Sequence, residues 1–302
     1  MARVRIAHLS DLHLLSFEGV MPKRFLNKRL TGYLNIRYRR KAVHKPFAVE
    51  AAAREIRDTG IDHVVITGDV SNLALEVEFE LVRLFLERDL GLHPDQVSMV
   101  PGNHDTYTHG AFRTGRFMRY FEAYLKSDLS EVPGPFPFVH LRGPAAIIGL
   151  STAVPRPPLV ASGSLKRPQL EALSRLLSHP EVRKRTLVVL QHHPWHNPPS
   201  TLKTLLEGLY DARAEHDVLR KVPRGLLLHG HLHRRIHRQM TTDTGHIDTF
   251  GATSASLLDE RTERMAGFNV YELDDAGGLV AATSHGFDPT TKKFREVPIP
   301  RA

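Results

Sequence analysis

Five clusters of Asp, His and Asn recur along the sequence, each just after a short apolar run. The first is Ser10-Asp11-Leu12-His13, behind the run 4–9. Alternate side chains of an extended segment share a face, so Asp11 and His13 are predicted to point together, as two ligands of one metal ion would. Gly68-Asp69-Val70-Ser71-Asn72 follows the run 64–67. Its glycine permits a sharp turn and leaves a carboxylate at a strand end, where open α/β sheets bind ligands. Gly102-Asn103-His104-Asp105 follows 97–100 and offers a neutral oxygen ligand, an acid/base group and an orienting carboxylate. Gln191-His192-His193-Pro194 follows 187–190, and Gly230-His231-Leu232-His233 follows 226–228. The same alternation puts His231 and His233 on one face. Taken singly, most of these clusters are ordinary turns or structural histidines. Two His-rich loops in a chain without cysteine point to a metal held by nitrogen and oxygen.

The elements that must position these loops can be read from the apolar pattern. Buried strands are predicted at 4–9, 63–67, 97–100, 145–150, 187–190 and 226–228. Helices are predicted at 46–58, 75–90, 113–126, 167–178 and 201–221, the first with a proline in its opening turn. Such alternation of strand and helix indicates an α/β protein. Towards the C-terminus the pattern changes to strands at 247–250, 269–273 and 279–282. Asp274-Asp275 and Gly277-Gly278 form a turn between the last two, so the sheet is partly antiparallel. No repeat and no linker interrupt the chain, and a single domain spanning 1–302 is expected.

Composition narrows the chemistry. The chain has 302 residues, of which 41% are hydrophobic and 25% charged, the profile of a globular protein. It has no cysteine, which excludes disulfides, Cys-ligated zinc, iron–sulfur clusters and thiol nucleophiles. The net charge of +8 is local: residues 19–49 hold nine Lys/Arg and no Asp/Glu. Such a patch suits an anionic partner or a solvated surface. The first residues do not form a signal peptide and no apolar run reaches membrane-spanning length, so a cytoplasmic location is expected. Peripheral contact with an anionic membrane through residues 17–46 stays open.

Together the five clusters resemble the calcineurin-like metallophosphoesterase superfamily. Its pattern of Asp-x-His, Gly-Asp, Gly-Asn-His-Asp/Glu, His and Gly-His-x-His is met in order by Asp11 and His13, Gly68 and Asp69, Gly102 to Asp105, His192, and Gly230 to His233. The resemblance implies a four-layer α-β-β-α sandwich of two mixed sheets flanked by helices. It also implies two divalent metal ions per chain, manganese or iron first and zinc or cobalt as alternatives. Asp11, His13 and His233 would hold one ion, Asn103, His192 and His231 the other, and Asp69 both. His192 is preferred to His193 because the family's ligand stands two residues before a proline. His104 and Asp105 complete the implied catalytic set. His104 would protonate the leaving oxygen, and Asp105 would orient His104 or the neighbouring loops. A hydroxide between the ions would attack phosphorus in line.

The opening of the chain looks like the phosphodiesterase branch, including class III cyclic-nucleotide phosphodiesterases. The leading expectation is therefore a phosphodiesterase acting on small phosphodiesters or pyrophosphates. The alternative is a membrane-surface pyrophosphatase of nucleotide-linked lipid, because the insertion at about 17–46 interleaves Phe25, Leu26, Leu30, Tyr33, Leu34, Ile36 and Tyr38 with basic residues. A non-enzymatic scaffold would lack ligands, and none is missing. One short basic stretch without a second module argues against a nucleic-acid partner. A second rim loop is predicted at 155–167, with Arg156, Ser162 and Ser164 as candidate substrate contacts.

Overall fold

The computed structural model describes residues 3–36, 43–131 and 134–302. Strands β1 (Val4–Leu9), β2 (His63–Ile66) and β3 (Val97–Met99) are parallel neighbours. β10 (Gly267–Leu273) adds antiparallel to β1, followed by β11 (Leu279–Asp288) and β12 (Lys293–Val297). The six form one mixed sheet in the order β12-β11-β10-β1-β2-β3. The second sheet is built from β4 (Phe138–Arg142), β5 (Ala145–Gly149), β6 (Thr186–Leu190), β7 (Arg224–His229), β8 (Ile236–Thr241) and β9 (His246–Gly251). Its order is β4-β5-β6-β7-β9-β8, parallel from β5 to β9 and antiparallel at both edges. This is the mixed α/β sandwich that the motifs imply.

Strand alternation assigns the two faces of the second sheet. Val188 and Leu190 join one core cluster with Ile6 and Val64 of the first sheet. Leu187 and Val189 turn the other way, onto Leu170, Leu173 and Leu176 of helix Lys166–Leu177. Helix Pro46–Asp58 covers the first sheet with Val49, Ala52, Ala53 and Ile56. Each such aliphatic side chain contributes on the order of 1.5–3 kcal/mol when fully buried.

Two predicted helices are broken. The segment 113–126 divides at Gly115, whose φ of 59° is left-handed, and helix Arg116–Tyr120 starts afresh after it. The segment 201–221 divides into Thr201–Glu207 and Ala212–Leu219. Gly208 separates them in an extended conformation, with φ −86° and ψ −178°. β4, β8 and β12 were not expected.

The insertion is a turn at Pro22–Phe25 and a helix at Arg29–Asn35, with the expected Tyr38 outside the described residues. Phe17, Phe25 and Tyr33 pack into a three-ring cluster with centroids 5.2–5.7 Å apart. The basic residues are partly spent within the fold. Arg29 is buried and donates to the carbonyls of Leu73 and Ala74, and Arg24 pairs with Glu76. Leu26, Leu30 and Leu34 remain exposed. Among the described residues no helix is long and apolar enough to cross a membrane.

Candidate metal centre

The five loops leave the C-terminal ends of β1, β2, β3, β6 and β7 and converge. Backbone bonds join the first two loops in register: Asp11 N–H donates to Gly68 O at 2.9 Å and His13 N–H to Asp69 O at 3.0 Å. The fourth and fifth loops are joined by Gly230 N–H to His192 O at 3.1 Å. Glycine is required at two close approaches. A side chain at Gly102 would overlap Asp69, and one at Gly230 would overlap Ser10 and Asp11.

The convergence is not produced by strand alternation, as the spacing suggested. Asp11, His13, Asp69, His231 and His233 all have left-handed backbones, with φ between 46° and 67°. These residues lie beyond the strands, and tight turns aim their side chains inward. None is glycine, so each carries local strain that the surrounding bonds must hold.

Three groups gather first. Asp11 Oδ1 lies 3.0 Å from His233 Nε2 and 3.8 Å from His13 Nε2, and the two ring nitrogens are 3.2 Å apart. Beside them, His192 Nε2 stands 3.4 Å from Asp69 Oδ2 and 3.2 Å from Asn103 Oδ1. The ring of His231 lies 5.1 Å from that of His192, centroid to centroid. Ligand-type atoms of Asp11, His13 and His233 form one compact group, and those of Asp11, Asp69 and His192 a second.

The histidines are turned for coordination. His192 Nδ1–H donates to Thr67 O at 2.7 Å, and His13 Nδ1 faces Ser71 O at 3.4 Å, so each ring points Nε2 at the cluster. His231 is reversed. Its Nε2–H donates to Glu207 O at 2.9 Å, which leaves the Nδ1 lone pair as its ligand atom. His193, adjacent to His192, has both nitrogens engaged, by Thr152 Oγ1 at 2.8 Å and Ala161 O at 2.6 Å.

The charges suit a cation. Burial alone would raise Asp69, but His192, His104 and His13 hold it well below the usual carboxylate range. Burial opposes ionisation of Asp11 as well, and His233 and His192 outweigh it. Burial lowers His231 to about 4, so it is a neutral donor. Burial also disfavours charge on His192, yet Asp69 and Asp11 lift it to about 9. Two buried carboxylates thus stay ionised, and Asp11 Oδ1 has no hydrogen-bond partner. Neutral His231 and the ionised carboxylates suit a divalent N/O site in which a bound cation would take the place of the His192 proton, so these residues fit the implied ions.

His104 stands next to the cluster. Its backbone N–H donates to Asp69 Oδ1 at 2.7 Å and its Nδ1–H to Asn72 O at 2.6 Å. Asp105 braces the loops. Its carboxylate accepts from the amides of Val70, Ser71 and Gly102 and from the Ser71 hydroxyl. Of the two duties expected for Asp105, this geometry is the bracing of neighbouring loops.

The rim-loop residues also turn inward. Arg156 donates to Ser162 O and covers the Tyr210 ring, Ser162 is fully buried, and Ser164 donates to Asp211. They fasten their own loop and tie it to the turn at Tyr210 and Asp211. Two residues at the site were assigned no role from the sequence: Asn72, which ties His13 to His104, and His44, whose ring lies 4.9 Å from that of His13. Asn72 closes the cluster that Gly68-Asp69 opens. His44 is an isolated histidine in a basic stretch.

A profile of calcineurin-like phosphoesterases matches residues 4–235. The chain belongs to the calcineurin-like phosphoesterase family. No curated protein matches the sequence. A dimetal phosphatase from Danio rerio has a similar structure, with a TM-score of 0.58 and 13% identity over 98% of both chains. Purple acid phosphatase PPD1 from yellow lupin (Lupinus luteus) seeds is also similar, with a TM-score of 0.57 and 11% identity. That match covers 99% of this chain and 54% of the lupin protein, so the chain spans about half its length. At these identities the two structures speak for the fold. Family membership and the ligand groups together support a metal-dependent phosphoester hydrolase.

Proposed function

We propose that the chain is a dinuclear metal-dependent phosphodiesterase. The observation that carries this reading is the convergence of ionised Asp11 and Asp69 with His13, His192, His231, His233 and Asn103, beside His104. Asp11, His13 and His233 would hold one ion, Asn103, His192 and His231 the other, and Asp69 both. Manganese or iron suits this donor set, and zinc or cobalt is compatible with it. Bound ions would supply the positive charge that activates water and offsets the charge growing on the phosphoryl oxygens.

The chain's own contribution is position and proton transfer. Backbone carbonyls of Ser71, Thr67 and Glu207 fix the tautomers of His13, His192 and His231. His104, held through Nδ1 by Asn72 O, would protonate the leaving oxygen through Nε2. Tyr107 lies parallel to the His104 ring, 5.5 Å away, and steadies it. A diester is favoured because cavities adjoin the cluster at His104 and at His13, which gives phosphorus room for two substituents.

The test is turnover by the manganese-loaded chain. Bis(p-nitrophenyl) phosphate should be hydrolysed faster than p-nitrophenyl phosphate, and EDTA should abolish both activities. Faster monoester turnover would overturn the diester preference. Full activity after metal stripping would overturn the metal chemistry.

A further inference from the structure

The cleft beside the ligand cluster is divided in two. A cavity of about 550 Å³ lies against Asn103 and His104. A second, of about 220 Å³, lies against His13, His44 and Lys45. Ile36 and Asn72 line both, so the end of the insertion helix and the Asn72 turn form the partition. The partition is anchored. Arg29 is bonded to the carbonyls of Leu73 and Ala74, and Gly32 sits so close that a side chain there would overlap Leu73 and Tyr107.

The two cavities differ more in size than in chemistry. Leu34, Ile36, Leu73 and Val160 give the larger one an apolar wall. Its cation is Lys28, whose Nζ stands 4.3 Å over the Tyr107 ring. The smaller one is mixed as well: His13, Lys45, Ser256 and His44, with His44 Nδ1 2.8 Å from Ser256 Oγ, stand beside Leu15 and Pro46.

We infer that the substrate is an unsymmetrical phosphodiester, whose bulky alcohol leaves from the larger cavity while a small substituent stays with the phosphate in the smaller one. This rests on the phosphodiesterase reading above. His104 fixes the direction. It is the proton donor of that reading, and it lines the larger cavity, not the smaller. A water oxygen bonds to phosphorus, the bond from phosphorus to the bulky alcohol's oxygen breaks, and that oxygen takes the His104 proton. The proton released by the water restores His104. The products are the free bulky alcohol and the phosphomonoester of the small group.

The test uses 2-(1-naphthyl)ethyl glyceryl phosphate, whose two leaving groups are both simple alkoxides. The manganese-loaded chain should release naphthylethanol and glycerol phosphate over the opposite pair by roughly tenfold or more, the discrimination an apolar pocket provides. Ile36→Ala, which opens the partition, should bring that ratio to about threefold or less with metal content unchanged. Leu34→Trp narrows the larger cavity from a half-exposed position. It should weaken binding of the matching phosphonate, read by naphthyl fluorescence, about fivefold. An even product mixture or the reverse pair from the unmodified chain would overturn the inference and leave the phosphodiesterase reading standing. So would phosphonate binding that Leu34→Trp does not change. Failure to hydrolyse this diester and bis(p-nitrophenyl) phosphate alike would overturn the phosphodiesterase reading, and the inference with it.

Discussion

His104 and Asn72 act as one unit. The His104 ring donates to the Asn72 carbonyl at 2.6 Å, and the Asn72 side-chain amide donates to the His13 carbonyl at 2.8 Å and to that of Leu14 at 3.2 Å. A proposed proton donor and a proposed metal ligand are therefore positioned through one residue, and a disturbance at Asn72 reaches both.

Asn72→Ala deletes that buried amide and strands two carbonyls. Hydrogen bonds of this kind contribute about 0.5–1.5 kcal/mol each, so a stability loss of about 1–3 kcal/mol is expected. The His13 and His104 loops should lose their mutual alignment, and kcat should fall about tenfold with little change in KM. Thermal melts and steady-state kinetics check the two effects separately. A lower Tm with unchanged kcat would confine Asn72 to folding.

His104→Ala should keep the ligand groups, since none is replaced, and lower kcat by about 10²–10⁴-fold on an alkyl diester. The loss should shrink on a p-nitrophenyl ester, whose leaving anion needs little protonation near neutral pH. Equal losses on both substrates would show that His104 positions the phosphate and transfers no proton.

Asp69 faces both halves of the cluster. Oδ2 points at His192, and Oδ1 holds the backbone of His104. Asp69→Asn removes the charge and keeps the shape. It should lower the bound manganese for both positions, whereas His233→Ala should mainly affect one. Metal analysis after gel filtration distinguishes the cases, and two tightly retained ions in Asp69→Asn would refute the shared-ligand assignment.

How legible these features were depended on where each residue lies. Runs such as 187–190, buried on both faces in a parallel strand, read plainly, and the polar residues that follow mark the strand ends where the loops converge. The three unpredicted strands, β4, β8 and β12, are all sheet edges. Ile-His-Arg-Gln-Met-Thr of β8 buries only Ile236 and Met240, and Lys-Phe-Arg-Glu-Val of β12 fully buries only Val297, so neither leaves an apolar run. Backbone sign was invisible as well. Left-handed Asp11 and His231 are held by contacts from distant loops, such as the Ser254 hydroxyl donating to Asp11 O and the His231 amide to Asp11 Oδ2. His44 reaches the site because Lys45 N–H bonds to Ser256 O, more than 200 residues away in sequence, a pairing that local pattern does not encode.

Glu215 offers a test of the second sheet's helical cover. It lies on helix Ala212–Leu219, fully buried, with Oε1 lacking a partner and Oε2 accepting from Gln191 at 3.3 Å. Burial, aided by Asp211, raises its pKa from 4.5 to about 8 although the Gln191 bond opposes the rise. The folded chain therefore keeps a proton that the unfolded chain gives up above pH 4.5. Stability from this group is intact below that pH, falls as pH rises to about 8, and then levels off. A tenfold change in proton affinity corresponds to about 1.4 kcal/mol, so the group costs on the order of a few kcal/mol at alkaline pH. Glutamine stays neutral throughout. Glu215→Gln should therefore match the unmodified chain in Tm near pH 5 and exceed it increasingly towards pH 8.5. Parallel Tm curves across that range would show that Glu215 is not held protonated by burial.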